Sequence, residues 1–253
     1  MKFIINFLLV ISLVSLYRCK SNQPSSQRAL TGTFINQTLL DNLNSFPYHE
    51  IPFYCPQLIF DSTGKAFINN GIEMFSLKTE KKGSEYLLKS AFRLNNQMRD
   101  FTFSLPDDQH LILFDTGFTG MTTPSTYSRV LMVLDPEKTF DFYFNKSAIS
   151  GNFRNIDHPG EEGSYIKFSN EGKIYGWEIY ERYQLCYAGD CLSESVEPTK
   201  LIMLEKDENV FDFFSWSNYS DTLILTKLGD PTPEMKGSRP LTSIIVRLLR
   251  LKQ

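Results

Sequence analysis

The sequence is poor in the residues that most often bind metals. It contains three histidines and four cysteines in 253 residues. His49, His110 and His158 each have a carboxylate nearby, but they lack metal-ligand spacing on one element, so we interpret them as polar loop residues. The cysteines include one close pair, and no His-x-x-His follows it, which argues against a zinc site. We therefore expect no metal and no cofactor.

Motifs of other function classes are missing as well. There is no Gly-x-Ser-x-Gly nucleophile elbow, and "STGKAF" resembles a phosphate-binding loop only superficially because Ala66 follows Lys65. The net charge is −3 with both signs interspersed, so we expect no nucleic-acid partner. Beyond the N-terminal region, no stretch of the sequence is long and apolar enough to span a bilayer.

The N-terminal region carries a targeting pattern. Lys2 supplies a positive charge, and the run from Phe3 to Leu16 is mostly apolar. That run has the length of the apolar segment of a signal peptide and is short for a membrane span. We predict a signal peptide over residues 1–18.

Cys19 follows this segment directly. A cysteine in this place resembles the lipobox of bacterial lipoproteins, although Tyr17 and Arg18 stand where that motif has small residues. The resemblance implies lipidation of Cys19, a polar tether over 19–29, and a lipoprotein anchored to a membrane of the cell envelope. The alternative is an ordinary cleaved secretory peptide, a secreted product and an incidental Cys19.

The remaining cysteines fit an oxidising compartment. Cys186 and Cys191 stand in "CYAGDC", a spacing that favours a short turn closed by a disulfide. Two reduced thiols are the alternative. Cys55, beside Pro56, is most simply a buried apolar residue.

The chain contains an internal repeat. Three matched pairs of segments occur in the same order: "FINQT" at 34 with "YFNKS" at 143, "IFDSTGKAF" at 59 with "KFSNEGKIY" at 167, and "LILFDTG" at 111 with "LILTKLG" at 223. Their start positions differ by 109, 108 and 112 residues. Three collinear matches at nearly one spacing indicate duplication of a unit of about 105–110 residues.

Each unit reads as about eight short strands. The 21 Phe and 12 Tyr suit pleated surfaces. Glycines end the tight turns at 61–64 and 169–172, and Asn70-Gly71 is a hairpin pair. We predict a first strand of the second unit in "TFDFYFNK" at 139–146 and one short helix in 38–46.

Eight antiparallel strands joined by hairpins favour a closed barrel, because closure removes exposed strand edges. We predict an all-β fold of two tandem small antiparallel up-and-down β-barrels related by internal duplication, over residues 30–135 and 139–251. The alternative is one larger barrel or a sandwich built from both repeats.

The pattern resembles lipocalin-like (calycin-type) β-barrel bacterial lipoproteins. The resemblance rests on "LTGTFINQ" at 30–37, a glycine-led first strand after the tether, and on the closing "DTLILTKL" at 221–228. The Gly-x-Trp of true lipocalins is absent, since Phe34 stands at the Trp position. The resemblance implies a barrel interior able to hold one small ligand.

Asp115 raises the possibility of a different chemistry. "LILFDTGFTG" resembles the catalytic loop of an aspartic protease, in which two Asp share one proton. By the repeat alignment, however, Lys227 stands at the matching position of the second unit, so the second carboxylate is missing. A simpler interpretation is a turn, with Asp115 accepting backbone hydrogen bonds and Gly117 in a left-handed conformation.

Three functions follow as hypotheses. The first is a non-enzymatic protein that binds a small apolar ligand or lipid inside a barrel; its expected lining residues are Phe60, Phe67, Phe101, Phe103, Phe168 and Tyr175. The second is a structural or interaction protein with filled barrels, whose protein partner is unknown. It leaves Phe214 and Trp216 outside the second barrel, at a contact. The third is an aspartic hydrolase that uses Asp115.

Overall fold

The computed structural model describes residues 30–43, 53–131, 136–157, 165–187, 194–195, 199–231, 233 and 238–252. The predicted signal peptide, Cys19, the tether and Cys191 lie outside these residues. Lipidation of Cys19 and the Cys186–Cys191 disulfide therefore stay predictions.

The described chain forms two eight-stranded antiparallel sheets and three short helices. The first unit has β1 Gly32–Asn36, β2 Gln57–Phe60, β3 Lys65–Asn69, β4 Met74–Lys82, β5 Glu85–Leu94, β6 Gln97–Ser104, β7 His110–Leu113 and β8 Ser125–Val130. The second has β9 Gly151–Asn155, β10 Tyr165–Phe168, β11 Ile174–Tyr175, β12 Arg182–Cys186, β13 Leu201–Asp207, β14 Val210–Tyr219, β15 Thr222–Leu228 and β16 Leu241–Arg250. The helices are α1 Gln37–Asp41, α2 Thr116–Thr119 and α3 Pro136–Ala148.

The first sheet is a closed barrel in which each strand pairs with its neighbours in sequence. Closure comes from β1, which pairs with β2 on one side and β8 on the other: Thr33 lies opposite Ile59 and Val130. The second sheet has the cyclic order β11-β10-β9-β16-β15-β14-β13-β12 and is nearly closed, because one isolated bridge joins Lys173 to Arg182. The predicted all-β fold of two tandem barrels is confirmed.

The predicted hairpins have the expected glycine geometry. Gly64 and Gly172 end the β2–β3 and β10–β11 turns with φ of 84° and 79°, a conformation that disfavours side chains bearing a Cβ. Gly71 follows Asn70 in the β3–β4 turn at φ 91°. The short helix predicted in 38–46 is also present, as α1, with Asn36 accepting a hydrogen bond from the Leu39 amide at its N-terminus.

The predicted strand at 139–146 is wrong, since these residues lie within α3. Phe140, Phe144 and Ala148 are buried at intervals of four, which is the period of a helix rather than a strand. Pro136 is suited to the first helical turn, because its missing N–H has no partner there in any helix. The aromatic composition of this segment concealed the period.

The two units correspond strand by strand. The matches at 59–67 with 167–175 and at 111–117 with 223–229 fall on equivalent hairpins and strands. The match of 34–38 with 143–147 does not, because it pairs β1 with α3. The true counterpart of β1 is β9, and the connection after it is 20 residues in the first unit (37–56) and 9 in the second (156–164).

Both units begin with a Gly-x-Phe triplet whose ring is covered by an arginine from the eighth strand. The Arg129 guanidinium lies 4.6 Å from the centroid of Phe34, and that of Arg250 lies 4.7 Å from Phe153. Each arginine also donates to the backbone carbonyl that precedes the glycine. This repeated contact ties the first strand to the last at one end of each barrel.

The units share a buried interface. Ile35, Leu39 and Leu43 of the first unit belong to the same apolar cluster as the core of the second. Gln57 on the outer wall of the first barrel donates to the Pro136 carbonyl and accepts from the Phe140 amide, at 2.8 and 3.1 Å. Thus α1 and α3 connect the two barrels.

Candidate functional site

The interior of the first barrel is occupied by aromatic side chains in mutual contact. The Phe60 ring centroid lies 5.8 Å from Phe34 and 5.3 Å from Phe103, and Phe103 stacks on Tyr86 at 5.2 Å. Phe34, Phe60 and Phe103 are each at most 1% exposed. Rings at these separations fill the space by edge and face contacts.

Four of the six predicted lining residues point into a barrel. Phe60, Phe101 and Phe103 belong to the core of the first unit, and Phe168 to that of the second. The prediction that Phe67 and Tyr175 point into a barrel is wrong. Phe67 lies between the buried residues Ala66 and Ile68, and because side chains alternate across a strand, it lies on the outer face. Tyr175 is 51% exposed. Binding of a ligand by these residues stays a prediction.

A buried polar cluster accompanies the aromatic rings. The Tyr127 hydroxyl donates to the Cys55 carbonyl at 2.9 Å, and the Asn36 amide donates to the same carbonyl at 3.2 Å. The Cys55 sulfur lies 3.5 Å from the Tyr127 hydroxyl. Burial raises the pKa of the Cys55 thiol to about 12, so the neutral thiol persists at physiological pH. Since the thiolate is the reactive form, this cysteine is suited to packing rather than to nucleophilic chemistry.

Asp115 is buried between β7 and α2. Its two carboxylate oxygens accept from the Ser125 amide at 3.0 Å and the Ser125 hydroxyl at 2.7 Å. Burial raises the pKa of Asp115, and the two hydrogen bonds oppose that rise. The prediction that Asp115 accepts a backbone hydrogen bond is confirmed. The donor, the Ser125 amide, lies at the far end of the β7–β8 loop rather than in a turn beside Asp115. Gly117 is helical, and Gly120 takes the left-handed conformation with φ 71°.

A second aromatic cluster lies where α2 meets the barrel. The Phe118 ring centroid of α2 is 5.6 Å from Tyr54, 5.6 Å from Phe92 and 6.2 Å from Phe101. Phe92 stacks on Phe101 at 4.5 Å. These contacts hold α2 across one end of the first barrel.

The second unit has the same kind of filled interior. Phe168 lies 5.7 Å from Phe153 and 5.2 Å from Tyr183, ring centroid to ring centroid. The prediction that left Phe214 and Trp216 outside this barrel is wrong, because both are buried in its core. The alternation along β14 was predicted correctly, but the assignment of its faces to inside and outside was inverted.

One carboxylate of the second unit collects several donors. Asp212 accepts from Lys206 at 2.8 Å, Lys227 at 3.1 Å and the Tyr180 hydroxyl at 2.7 Å. Burial acts to raise the pKa of Asp212, but these hydrogen bonds and charges outweigh it and lower the pKa. An acid held ionised by two lysines is a structural ion pair, with no proton to supply to a reaction.

A surface pocket of about 340 Å³ lies between α3, β12 and the β10–β11 hairpin. Glu137, Asp141 and Glu171 contribute acidic groups to its walls, and Lys138 and Arg182 contribute basic ones. The mixed charges favour no single type of ion. Its geometry gives no nucleophile beside a general base.

No group of three or more His, Cys, Asp or Glu side chains in the described part of the chain is arranged to hold a metal ion. Among the helices of the described ranges, none has the length and apolar character needed to cross a bilayer. Cys186 is buried at the end of β12.

The sequence did not reveal the Gly-x-Phe and arginine pairing or the lid-like position of α2. The triplets "GTF" and "GNF" at 32–34 and 151–153 are a signal for the first. The strand wrongly predicted at 139–146 obscured it, because that segment was matched to β1 in place of β9. Compared with protein-family models, curated proteins and solved structures, the chain matches none of them.

Proposed function

We propose that the chain is a non-enzymatic protein whose two filled barrels form a rigid scaffold, and that it acts through contacts at its surface. Anchoring through Cys19 in a cell envelope belongs to the same proposal and rests on the lipobox resemblance. The supporting observation is the contact of Phe34, Phe60, Phe103 and Tyr86 across the interior of the first barrel. A ligand there would have to displace rings that are already close-packed.

The proposal differs from the carrier hypothesis in one measurable property. A filled interior gives a small apolar probe such as benzene no space, whereas a cavity made by truncating a buried ring stays dry and binds such a probe. Phe60→Ala is the positive control, because Phe60 is buried at the centre of the ring contacts.

The experiment is calorimetric titration of benzene into the wild-type protein and into Phe60→Ala. We expect no binding to the wild type and saturable binding to the variant. Saturable binding to the wild type, displaced by longer acyl chains, would favour the carrier hypothesis. The aspartic hydrolase hypothesis predicts acid-optimum peptide cleavage that Asp115→Asn abolishes, and we expect no such cleavage.

A further inference from the structure

Exposed apolar side chains of the first barrel concentrate at one of its ends. We name the set formed by Leu94, Met98, Phe114, Phe118 and Met121 the apolar end. All five are large hydrophobic residues with substantial exposure, for example 56% for Met98 and 48% for Phe118. They come from two neighbouring segments, the β5–β6 hairpin and the β7–β8 loop that contains α2.

Chain direction places these two segments together. The strands alternate in direction, so the turns after β1, β3, β5 and β7 lie at one end and the turns after β2, β4 and β6 at the other. Direct contact confirms the proximity, since Phe118 touches Phe92 near the tip of the hairpin at 5.6 Å between ring centroids.

The apolar end presents almost no charge. Residues 114–124 contain one ionisable group, Asp115, and it is buried against Ser125. Residues 94–98, "LNNQM", contain none. The nearest acid in sequence, Asp100, is two residues after Met98 and forms an ion pair with Lys89. Glu73 is exposed on the adjacent β3–β4 turn, beside exposed Ile72.

The opposite end has the reverse character. Its β4–β5 turn "KKGSE" is exposed and charged, and its β6–β7 turn exposes Asp107 and Asp108. The first barrel is thus amphipathic along its axis. Leu131, just after β8, is the one large hydrophobic residue exposed at this end among the described residues. Scattered single hydrophobic residues on a surface need no explanation, but a set gathered at one end of a barrel indicates a contact.

Two arginines flank the apolar end. Arg93 and Arg99 are exposed on β5 and β6, one residue inside Leu94 and Met98 respectively. The apolar residues lie at the tips of the two loops, and the two arginines lie one residue further from the tips. The same order occurs at a membrane surface, where acyl chains lie beneath anionic headgroups.

We propose that the apolar end docks on a lipid bilayer, with the side chains of the β5–β6 hairpin and the α2 loop entering the interfacial region and Arg93 and Arg99 meeting lipid phosphates. Three amides of the α2 segment, those of Phe118, Thr119 and Gly120, donate to the carbonyls of residues 115 and 116. These amides therefore enter the interfacial region already paired. The inference rests on the proposed surface role. Its test monitors the α2 loop and the β5–β6 hairpin rather than the barrel interior, so the two proposals can fail separately.

The test places a tryptophan at the apolar end of the full-length protein. The chain has two native tryptophans, Trp177 and Trp216, both in the second unit, and the wild type supplies their background. Phe118→Trp is the first probe. Met98→Trp is a second probe of the same surface, so the test still stands if one of the two substitutions disturbs folding. Tyr219→Trp is the matched control, because Tyr219 is 78% exposed on the β14–β15 turn of the other unit.

Each variant is mixed with phosphatidylcholine–phosphatidylglycerol vesicles whose acyl chains carry bromine, a contact quencher. We expect a blue shift and loss of the added fluorescence at 118 and 98, little change at 219, and weaker quenching when Arg93→Gln and Arg99→Gln are combined. The site-specific comparison remains valid if the apolar N-terminal segment alone holds the protein on the vesicles.

Three results would overturn the inference. The first is vesicle-bound protein whose added fluorescence at 118 and 98 is not quenched. The second is equal quenching at 118 and 219, which would indicate unspecific adsorption. The third is a blue shift at 118 that depends on protein concentration without vesicles, which would show that a second copy of the chain covers the apolar end.

Discussion

Gly32 and Gly151 illustrate how single residues fix the ends of the barrels. Both have a φ in the region that favours glycine, 143° and 151°, and the arginine of the last strand lies where a side chain would begin. At Gly151 an added Cβ would stand 2.5 Å from the Arg250 Nη1 atom. The first residue of each barrel thus leaves room for the arginine that covers the next aromatic ring.

We expect Gly32→Ala and Gly151→Ala each to lower the free energy of unfolding by about 1–3 kcal/mol, from backbone strain and displacement of the arginine. Urea denaturation measures this. Gly117→Ala is the control: Gly117 is helical with nothing within 4 Å of an added Cβ, so stability should be unchanged or raised by about 0.5–1 kcal/mol. Equal effects at positions 32 and 117 would contradict the strain argument.

Asp115 gives a prediction about pH. Its pKa is raised in the folded protein by burial, so folding is favoured while the group is protonated. This contribution is complete below the pKa of the unfolded chain, about 4, and is lost as pH rises through the raised pKa of the folded state. Asp115→Asn should therefore gain stability relative to wild type as pH rises.

Thermal unfolding of both proteins from pH 3 to pH 8 tests this, and the Asn amide keeps an acceptor for Ser125. Parallel stability curves across that range would show that burial does not perturb Asp115. A stability gain of Asp115→Asn over the wild type as pH falls would show that the pKa of Asp115 is lowered on folding rather than raised.

At the scale of elements, hairpins were predictable and registers were not. The turns at Gly64, Gly71 and Gly172 follow from local chemistry, since only certain residues tolerate their backbone angles. Which face of a strand turns inward depends on pairing across the sheet, which local sequence does not encode. This is why Phe67 and Trp216 were placed on the wrong side although the alternation was right.

Helix α3 shows a further limit of local pattern. Its aromatic residues favour strands as types, yet their spacing buries one helical stripe against the second barrel. Tertiary packing decided between the two. The same error misaligned one of three repeat matches.

We expect Phe144→Ala in α3 to lower the free energy of unfolding by about 3–5 kcal/mol, because the ring is fully buried and its removal leaves a cavity. Phe142→Ala, on the same helix but half-buried, should cost clearly less. Urea denaturation compares the two variants. Equal losses would mean that α3 does not pack as a one-sided helix.

At the scale of the whole molecule, the two barrels are joined by a shared core. Leu39 of α1 is buried in the cluster that contains Trp216, and both tryptophans of the chain belong to the second unit. Tryptophan fluorescence therefore detects unfolding through probes that lie in the second unit.

We expect Leu39→Ala to lower the midpoint of unfolding detected by tryptophan fluorescence, although the substitution lies in the first unit. The expected loss in the free energy of unfolding is about 2–5 kcal/mol. Leu88→Ala is the comparison, since Leu88 lies in the separate core of the first barrel. An unchanged fluorescence midpoint in Leu39→Ala would show that the two units unfold independently.

The central claim, that both barrels are filled and carry no ligand, is tested most directly by native mass spectrometry. The mature protein is purified from its natural source without organic solvent, and its native mass is compared with its mass after denaturation. We predict the same mass in both states, with any acyl chains on Cys19 retained in each because they are covalent. A discrete extra mass that leaves on unfolding would contradict the claim and identify the chain as a carrier.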